Sequence, residues 1–505
     1  MPLTDTALRD GELMAAIDIG SNSFHMVVAR NVLGQLRIVD RLRETVRMAS
    51  GLKSNGDLDP AARERALVCL ARFGERIRSL PPHRVRAIAT NTVRQLRNPA
   101  SFLIPAETAL GHGIEVVSGR EEARLIYLGV AHGMPPTDAR RLVIDIGGGS
   151  TEFIIGEAFL PLERESLQMG CIATTRRFFP DGKLSRKRWQ AGQLELAQQF
   201  QQFTAAYNAL GWQETIGSSG TAKAIAEIVA SPELPAGTLT ADTLAATCDR
   251  LLGFKHIDDI RLDGLSADRR PIIAGGLLVM DTCFRELGLT RMRVCETAMR
   301  EGVLHDMLGR AQQRDPRDAA IAALALRYGV DAEHAQRVED TALALFDQIA
   351  QSWELEPDDR LMLIWAARLH ELGLAISHSQ HQKHGAYVIG NSDIDGFSRQ
   401  EQAVLATLVR CQRRSINQNM LANLPGRMAQ AALRNIVLLR LAILLHRSHD
   451  RTPLPPVCLH THEEQIRLGL PDVWLASHAL TRADLATERE ELAAIGLDFS
   501  VGALD

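Results

Sequence analysis

The sequence predicts an α/β fold of two related halves, followed by an all-helical domain and a small α+β domain. Two Gly-rich turns support this prediction, because each lies between two short apolar runs, as a tight turn between two strands does. The first turn follows residues 14–17 and the second follows residues 142–144. After about residue 312 such turns no longer occur and long helical segments begin. The expected domains are residues 1–134, 135–311, 312–447 and 448–505.

Short strands and helices alternate in the first half. Pro60 is expected to begin a helix with one apolar face, which ends before Pro81. Residues 85–89 and 114–117 are the next two predicted strands, and another helix begins near Arg120. Such alternation is typical of a sheet covered by helices.

The last two domains follow a different pattern. Residues 318–326, 332–353 and 357–372 are predicted helices. A Pro-rich segment then precedes the tail, where residues 457–460 and 465–470 alternate in the manner of strands. We therefore expect helices to form the third domain and a mixed unit to close the chain.

Composition and charge exclude several classes of protein. The formal net charge of -4 on 505 residues excludes a generally basic nucleic-acid binder. The seven cysteines form no C-x-x-C pair, which fits reduced thiols and excludes a zinc ribbon. Residues 1–12 are polar and acidic, unlike a signal peptide, and the apolar run 436–445 is too short to span a bilayer. We expect a cytoplasmic protein, and leave a peripheral contact with the inner membrane open.

Both matched turns carry features of a phosphate site. The glycines let backbone N–H groups approach an anion closely, and hydroxyl residues follow them. A third Gly/Ser loop precedes a predicted helix at 222–229, where free N–H groups and the helix dipole attract anions. Plain hairpins and a capped helix are the alternative, which the duplication disfavours. The candidate phosphate-binding residues are Ser21, Asn22, Ser23, Gly147, Gly148, Gly149, Ser150, Gly217, Ser218, Ser219, Gly220 and Thr221.

Acidic residues at the same turns are candidate metal ligands. Hydrolysis of a phosphate chain needs a metal-binding carboxylate, a base for water and cations on the phosphate oxygens. Asp18 and Asp145 end the strands that precede the two turns and are the candidate metal ligands. Glu152 lies on the strand after the second turn, so it is a candidate for metal or water, with a solvent-facing position as the alternative.

Three further residues are candidates for catalysis. Glu121 and Glu122 both begin a helix, where an acidic residue also stabilises the helix dipole. Their positions alone do not decide between them as a catalytic base. Arg94 follows the predicted turn at 90–92, where a phosphate clamp and a solvated side chain are equally consistent with the sequence.

At these positions the chain resembles the exopolyphosphatase / guanosine pentaphosphate phosphohydrolase (Ppx/GppA) family, and especially its bacterial exopolyphosphatases. The resemblance extends over nearly the whole chain, and its motifs are specific because several occur in the same order. They are A-I-D-I-G-S-N-S-F-H-M-V from residue 16, S-G-R-E-E-A-R-L-I-Y from 118, L-V-I-D-I-G-G-G-S-T-E from 142, Q-M-G-C from 168, G-S-S-G-T from 217, M-R-E-G-V-L from 299 and L-H-E-L-G from 369.

The resemblance implies two RNase H-like halves of the actin-like, sugar-kinase-like ATPase superfamily, with the site in the cleft between them. It also implies processive release of terminal phosphates with Mg²⁺ or Mn²⁺, and a homodimer. By motif position Glu122 corresponds to the general base that activates water for in-line attack. Asp145 and Glu152 correspond to metal and catalytic acidic positions, and Arg94 to a phosphate-binding arginine.

The helical domain resembles an HD-type phosphohydrolase domain but departs from its motif. His370-Glu371 stands where His-Asp is expected, and His378, His381 and His384 follow at irregular spacing. Satisfied or solvated histidines are favoured over a metal site by this spacing. We expect the domain to contribute substrate binding rather than a second active site.

A run of arginines favours polyphosphate as the substrate. An extended polyanion needs positive charge far from the cleaved bond, whereas a solvated helix face is the alternative. A guanosine ligand, either the pentaphosphate pppGpp or its product ppGpp, would instead need a base pocket, and the sequence shows no clear aromatic one. Exopolyphosphatase is therefore the predicted activity, pppGpp 5′-phosphohydrolase the alternative, and a kinase-like ATPase the less favoured third. The arginines are Arg410, Arg413, Arg414, Arg427, Arg434, Arg440 and Arg447, with Arg410, Arg413 and Arg414 as substrate contacts.

Overall fold

The computed structural model describes residues 8–230, 234–312 and 314–503. The chain divides after residue 315 into two compact units. The unit that ends there is α/β, and the unit that follows is mainly helical. The predicted limits of four separate domains stay predictions, since the contacts resolve only this one division.

The first sheet of the α/β unit has five strands in the order β3-β2-β1-β4-β5. Its strands are β1 Leu13–Ile19, β2 Ser23–Val32, β3 Gln35–Thr45, β4 Val85–Ala89 and β5 Ile114–Val116. β1 pairs antiparallel with β2 and parallel with β4. The helices of this half are α1 Pro60–Ile77, α2 Asn91–Arg94, α3 Ala100–Leu110 and α4 Gly119–Gly133.

The second sheet has six strands in the order β10-β11-β9-β6-β7-β8. Its strands are β6 Arg141–Ile146, β7 Thr151–Glu157, β8 Leu160–Leu167, β9 Glu214–Ser218, β10 Thr238–Thr240 and β11 Arg291–Val294. β6 pairs antiparallel with β7 and parallel with β9. The helices are α5 Cys171–Phe178, α6 Arg186–Phe200, α7 Thr204–Leu210, α8 Ser219–Ile228, α9 Ala241–Leu252, α10 Ile273–Glu286 and α11 Met299–Ala311.

The two sheets confirm the predicted duplication. In each sheet, the first strand of a hairpin also pairs in parallel with a later strand on its other side. The order β2-β1-β4 in the first sheet therefore corresponds to β7-β6-β9 in the second. Asp18 and Asp145 occupy the same place, one residue before the end of the central strand. The two Gly-rich turns therefore occur at equivalent edges of two equivalent sheets.

Two helices cross closely between the sheets because both carry glycine at the contact. A Cβ on Gly129 of α4 would lie 1.9 Å from the carbonyl oxygen of Ala298, and one on Gly302 of α11 would lie 1.8 Å from that of Leu125. Only glycine allows backbones to approach so closely. This contact sets the position of the first turn of α4 and of α11, both of which reach the candidate site.

The helical unit contains seven helices among its described residues before a three-stranded sheet. The helices are α12 Pro316–Arg327, α13 Ala332–Ile349, α14 Pro357–Leu369, α15 His381–Asn391, α16 Arg399–Cys411, α17 Gln418–Ala422 and α18 Gly426–Leu445. β12 Cys458–His462, β13 Gln465–Gly469, α19 Asp472–Ser477, α20 Ala479–Ala493 and β14 Asp498–Gly502 complete the unit.

α18 is the one helix among the described residues that is long and apolar enough to cross a membrane. It is instead a core helix, since 61% of that apolar window is buried and it packs on α13, α14 and α16. Arg440 in the middle of it is buried and donates from Nε to Glu488 Oε1 at 2.6 Å. The predicted buried helix at 436–445 is therefore confirmed.

Strand positions agree with the predictions better than helix ends do. The predicted strand at 85–89 is β4. The predicted turn at 90–92 is wrong in type, because Asn91 begins the short helix α2. The predicted helices from 332 and 357 begin as expected but end at Ile349 and Leu369, earlier than the apolar pattern suggested.

Candidate active site

The two matched Gly-rich turns face one another across a cleft of about 400 Å³ in the α/β unit. A Cβ on Gly149 would lie 2.4 Å from Asn91 Oδ1, and one on Gly148 would lie 3.0 Å from the Cβ of Ser21. Within the first half, Thr92 Oγ1 donates to Ser21 Oγ at 2.8 Å. Gly148 and Gly149 therefore contact the first half beside the cleft, and glycine is required at that contact.

Most of the predicted phosphate-binding residues line this cleft. Gly217 and Ser218 do not, because they end β9 behind the cleft wall, where Ser218 is fully buried. The residues that do are Ser21, Asn22, Ser23, Gly147, Gly148, Gly149, Ser150, Ser219, Gly220 and Thr221.

The third loop presents a helix N-terminus to the cleft. α8 begins at Ser219, whose φ of 85° lies in the left-handed region that residues other than glycine rarely adopt. Such strain is concentrated at ligand sites. Arg269 fills the space beside Gly220, where a Cβ would lie 2.0 Å from its Nη2. The start of α8 therefore combines free backbone N–H groups with a neighbouring guanidinium, a favourable arrangement for a phosphate.

Four carboxylates lie close together at the cleft: Asp18, Glu122 and Asp145 line it, and Glu152 lies behind its surface. Burial raises the pKa of Asp18 to about 7 and that of Asp145 to about 6, and the nearby Glu122 carboxylate adds to both shifts. Burial also raises the pKa of Glu152 well above its usual value, with repulsion from Glu122 and Asp145 as the next causes. Like charges held together in this way are typical of functional sites, where a bound cation relieves the repulsion.

The cleft suits a hard divalent cation with few protein ligands. Over residues 8–230, 234–312 and 314–503, it does not contain three ligand atoms within 4.8 Å of one another. Mg²⁺ often binds to only one or two carboxylates, together with substrate phosphates and water. Asp18 and Asp145 line the cleft and fit that role. Glu152 is 1% exposed and accepts a hydrogen bond from Ser166 Oγ at 2.9 Å, so it lies behind the cleft surface. The metal and its ligands stay predictions.

The structure separates the two adjacent glutamates that the sequence left undecided. Glu121 is 2% exposed and accepts from Arg124 Nε at 2.8 Å. Arg124 in turn donates to Asp306 Oδ1 at 2.6 Å, which extends a buried ionic network away from the cleft. Glu122 lines the cleft. Of the two, only Glu122 is placed to act on a water molecule in the cleft, although its catalytic role stays a prediction.

Arg94 lies behind Glu122 rather than on the cleft surface. Its Nη1 donates to Glu122 Oε2 at 2.9 Å and to the carbonyl oxygen of Val117 at 2.9 Å. It is absent from the residues that line the described cleft. These bonds orient the Glu122 carboxylate, while the predicted contact between Arg94 and a phosphate stays a prediction.

Five cationic side chains line the cleft that the sequence analysis did not assign: Arg41, Arg43, Lys223, Arg269 and Arg300. Arg300 lies in the M-R-E-G-V-L motif, and Lys223 lies in the first turn after the Gly/Ser loop, so both carried a usable signal. Arg41 and Arg43 lie on either side of Leu42 on β3, which is a weaker signal. Nothing in the sequence around Arg269 indicates a site.

Arg300 is the cation most closely connected to the carboxylates. It forms a hydrogen bond to the Nδ1 atom of His25. Burial and then the Arg300 charge lower the pKa of His25 to about 3, so the ring is neutral and accepts this bond. Burial raises the pKa of Asp18 and Asp145, and the Arg300 charge offsets part of that rise because it favours the ionised carboxylates.

The predicted arginine row lies in the helical unit and is largely engaged there. Arg413 is crowded, since burial and then the charges of Arg447 and Arg414 lower its pKa. The predicted substrate contacts of Arg410, Arg413 and Arg414 stay predictions. The arginines engaged by other groups are Arg427 with Asp359, Arg434 with the carbonyl oxygen of Trp353, Arg440 with Glu488 and Arg447 with Asp484.

Two protein-family sequence models match this chain. Residues 27–311 match the model of the Ppx/GppA phosphatase family, and residues 317–489 match that of Ppx/GppA phosphatase, domain III. A guanosine-5′-triphosphate,3′-diphosphate pyrophosphatase of Aeromonas hydrophila is 36% identical over 490 residues, which are 97% of this chain and 98% of that protein. Its counterpart in Photobacterium profundum is 34% identical over 479 residues, 94% of this chain and 95% of that protein.

Solved structures share the fold. An exopolyphosphatase from Cytophaga hutchinsonii is 23% identical with a TM-score of 0.52, covering 59% of this chain and 98% of its own. The Aquifex aeolicus PPX-GPPA enzyme is 24% identical with a TM-score of 0.50, covering 58% of this chain and 99% of its own. These likenesses confirm the predicted fold class.

Proposed function

The chain belongs to the Ppx/GppA phosphatase family, and we propose that it removes the terminal phosphate from the 5′-triphosphate of guanosine-5′-triphosphate,3′-diphosphate. The observation that carries this choice is the likeness, along almost the entire chain, to two relatives named for that compound. The likeness to a solved exopolyphosphatase covers 59% of the chain at 23% identity and supports the fold alone. The proposal therefore reverses the order of preference that the arginine run suggested.

The charge of the cleft supports a short, highly charged ligand. Arg41, Arg43, Lys223, Arg269 and Arg300 all line one cleft of about 400 Å³, together with three loops suited to phosphate. A nucleotide with phosphates at both its 5′ and 3′ positions needs cations in such a compact arrangement.

The cations of the cleft lie on separate parts of its lining. Lys223 and Arg269 lie beside the start of α8, where a phosphate would bind, and Arg41 and Arg43 lie on β3 at another part of the lining. A nucleotide with phosphates at two positions can contact both groups of cations.

The chain's own residues account for the chemistry as follows. Glu122, oriented by Arg94, accepts a proton from a water molecule whose oxygen attacks the terminal phosphorus. The bond from that phosphorus to its bridging oxygen breaks, so that phosphate and a 5′-diphosphate are released. Backbone N–H groups at Gly148 and at the start of α8, with Arg300, stabilise the charge on the phosphate oxygens. Mg²⁺ or Mn²⁺, if bound by Asp18 and Asp145, would neutralise part of that charge.

Exopolyphosphatase activity is the second candidate. Arg410, Arg413 and Arg414 have no acidic partner among the residues that the structure describes, which leaves their charge available to an anion. A polyphosphate chain long enough to bind them would explain these three side chains. A homodimer and a cytoplasmic location complete the proposal, since both follow from the family resemblance.

The decisive experiment measures phosphate release with Mg²⁺ from guanosine-5′-triphosphate,3′-diphosphate, long-chain polyphosphate and ATP. We expect the highest kcat/KM with the guanosine compound. Glu122→Gln should lower kcat at least about 100-fold, because a general base is lost. Glu75→Gln, an exposed carboxylate on α1, is the matched control and should keep full activity.

The other outcomes separate the alternatives. A higher kcat/KM with polyphosphate would contradict the proposed substrate and favour the second candidate. Release from ATP alone would contradict both and favour a kinase-like ATPase. Full activity in Glu122→Gln would show that the base has been assigned wrongly.

A further inference from the structure

A cluster of imidazole and carboxylate groups lies in the helical unit, outside the site described above. His334 belongs to α13, and His370 and Glu371 follow α14. One ligand atom from each of these three residues lies within 4.8 Å of the other two. His449, which follows α18, stacks on the His334 ring with centroids 3.8 Å apart and planes at 11°. Residues far apart in the sequence thus meet in a small volume.

His370 has an unused nitrogen in this cluster. The side chain is 2% exposed, and Nδ1 lies 2.7 Å from the carbonyl oxygen of Ala367, to which it donates. The proton is therefore on Nδ1, and the lone pair of Nε2 is free. Nε2 is buried and has no hydrogen-bond partner among the described residues. A buried polar atom without a partner is rare and unfavourable unless a ligand or an ion completes it.

The bond from Nδ1 to a backbone carbonyl is itself informative. Histidines that bind metals usually donate their second ring nitrogen to a carbonyl or carboxylate, which fixes the tautomer and the ring orientation. His370 already has this arrangement in the structure. The ring is thus oriented with Nε2 as the available ligand atom.

Glu371 provides the oxygen at the centre of the cluster. Its Oε1 lies 3.2 Å from His449 Nε2 and 3.9 Å from His334 Nε2. The separation from His334 is close to that between neighbouring ligands of a metal that binds each at about 2.0–2.2 Å. The His449 ring lies nearly parallel to the His334 ring, and an imidazole binds a metal in its own plane, so the two rings do not share one ion. His449 is exposed and stands at the entrance to the cluster.

We propose that His334, His370 and Glu371 bind one divalent transition-metal ion, with Zn²⁺ as the best match. Two imidazoles and one carboxylate suit Zn²⁺, whereas Mg²⁺ and Ca²⁺ prefer oxygen ligands. A water molecule would complete a four-coordinate ion with three protein ligands. The ion would join two segments of the helical unit and stabilise it.

One neighbour must move when the ion binds. Arg337 Nη2 lies 3.4 Å from His334 Nδ1, at the long limit of a hydrogen bond. A metal on Nε2 leaves the proton on Nδ1, so that nitrogen no longer accepts. The guanidinium then turns away, and it keeps its bond to the carbonyl oxygen of Glu333.

The site differs from the one that the sequence pattern would suggest. His378, His381 and His384 are not among the ligands, and the His378 and His381 rings are 6.3 Å apart. The third ligand is instead His334, from a segment before the HD-like motif. The proposal is independent of the activity proposed for the cleft.

The test uses the full chain without a histidine tag. We expect one Zn²⁺ per chain after dialysis, measured by mass spectrometry, and a Tm about 5 °C or more above that of the chelated protein. Replacement by Co²⁺ should give the d–d absorption of a four-coordinate site. His370→Ala and Glu371→Gln should each weaken Zn²⁺ binding at least about 100-fold in calorimetry, since each removes a ligand.

Matched variants make the result decisive. His378→Ala, an exposed histidine outside the cluster, should bind Zn²⁺ as the wild type does. Asp145→Asn should also keep this binding, which separates it from a cation in the cleft. If His370→Ala does not fold, Glu371→Gln, which keeps the shape of the side chain, is the second variant. The proposal is overturned if the wild type binds no stoichiometric Zn²⁺, or if Glu371→Gln binds it unchanged.

Discussion

At the residue scale, two adjacent glutamates have opposite environments. Successive positions on a helix differ by about 100° in direction, so Glu121 and Glu122 cannot face the same surroundings. Glu121 joins Arg124 in a buried network, whereas Glu122 faces the cleft beside Arg94. One residue is therefore expected to contribute mainly to stability and the other mainly to chemistry.

Replacing each glutamate by glutamine tests this division. Glu121→Gln removes one of the two carboxylates that Arg124 contacts, the other being Asp306. We therefore expect a loss of about 2–3 kcal/mol in the free energy of unfolding, with kcat of the folded protein within about 10-fold of wild type. Glu122→Gln should instead lose most of its kcat and keep a free energy of unfolding close to that of the wild type. Urea unfolding and steady-state kinetics measure both, and a large kcat loss in Glu121→Gln at unchanged stability would contradict the assignment.

The raised carboxyl pKa values predict how pH affects stability and metal binding. The folded pKa of about 7 for Asp18 and about 6 for Asp145 lie above the ordinary value of 3.8. The folded state therefore binds more protons than the unfolded state, and stability without metal should fall as the pH rises from about 4 to about 7. Asp145→Asn should show a smaller fall in Tm over this range in EDTA.

The stabilising effect of added Mg²⁺ should have a pH dependence opposite to that of the metal-free protein's stability. A cation binds the ionised carboxylates, so its stabilising effect should grow as the pH rises through about 6 to 7. Calorimetric titration with Mg²⁺ at several pH values measures this, with proton release at the lower end. Binding that is independent of pH would place the cation away from Asp18 and Asp145.

At the element scale, the crossing of α4 and α11 positions both Glu122 and Arg300. The two helices touch through Gly129 and Gly302, where no side chain fits. The sequence indicated where α4 begins, because Ser118 precedes two acidic residues, and the Ser118 hydroxyl does accept from the Glu121 N–H. It did not indicate which helix packs on α4, since that partner is far along the chain.

Enlarging one glycine tests the importance of the crossing. Gly302→Ala would place a Cβ 1.8 Å from the carbonyl oxygen of Leu125, so the helices must separate. We expect a loss of about 1–3 kcal/mol in stability and a clear fall in kcat/KM as Glu122 and Arg300 shift. Gly309→Ala is the control on the same helix, because its nearest neighbour would be 3.5 Å away. Equal behaviour of the two variants would show that the crossing does not position the site.

At the scale of the whole molecule, the two compact units have different roles in the proposal. The α/β unit contains the cleft with its carboxylates, loops and five unassigned cations. The helical unit contains the arginine row, much of which is bound to its own acidic or carbonyl groups. A short guanosine ligand is thus expected to depend on the first set of cations much more than on the second.

Charge removal in each unit tests this expectation. Arg300→Gln should lower kcat/KM for the guanosine substrate about 100-fold, because a cation near the reacting phosphate is lost. The triple variant of Arg410, Arg413 and Arg414 to Gln should change it less than about 3-fold, since none of these side chains lines the cleft. A large loss in the triple variant with polyphosphate alone would support the second candidate activity.

Local patterns in the sequence were enough to determine the strand–turn–strand repeats, the starts of α1, α13 and α14, and the family. These features depend on residues close together in the chain, where backbone geometry and apolar spacing act directly. Tertiary structure alone decided which glutamate faces the cleft, which cations join it, and that His334 and His449 meet His370 and Glu371. Those outcomes depend on contacts between distant segments, whose packing no local pattern specifies.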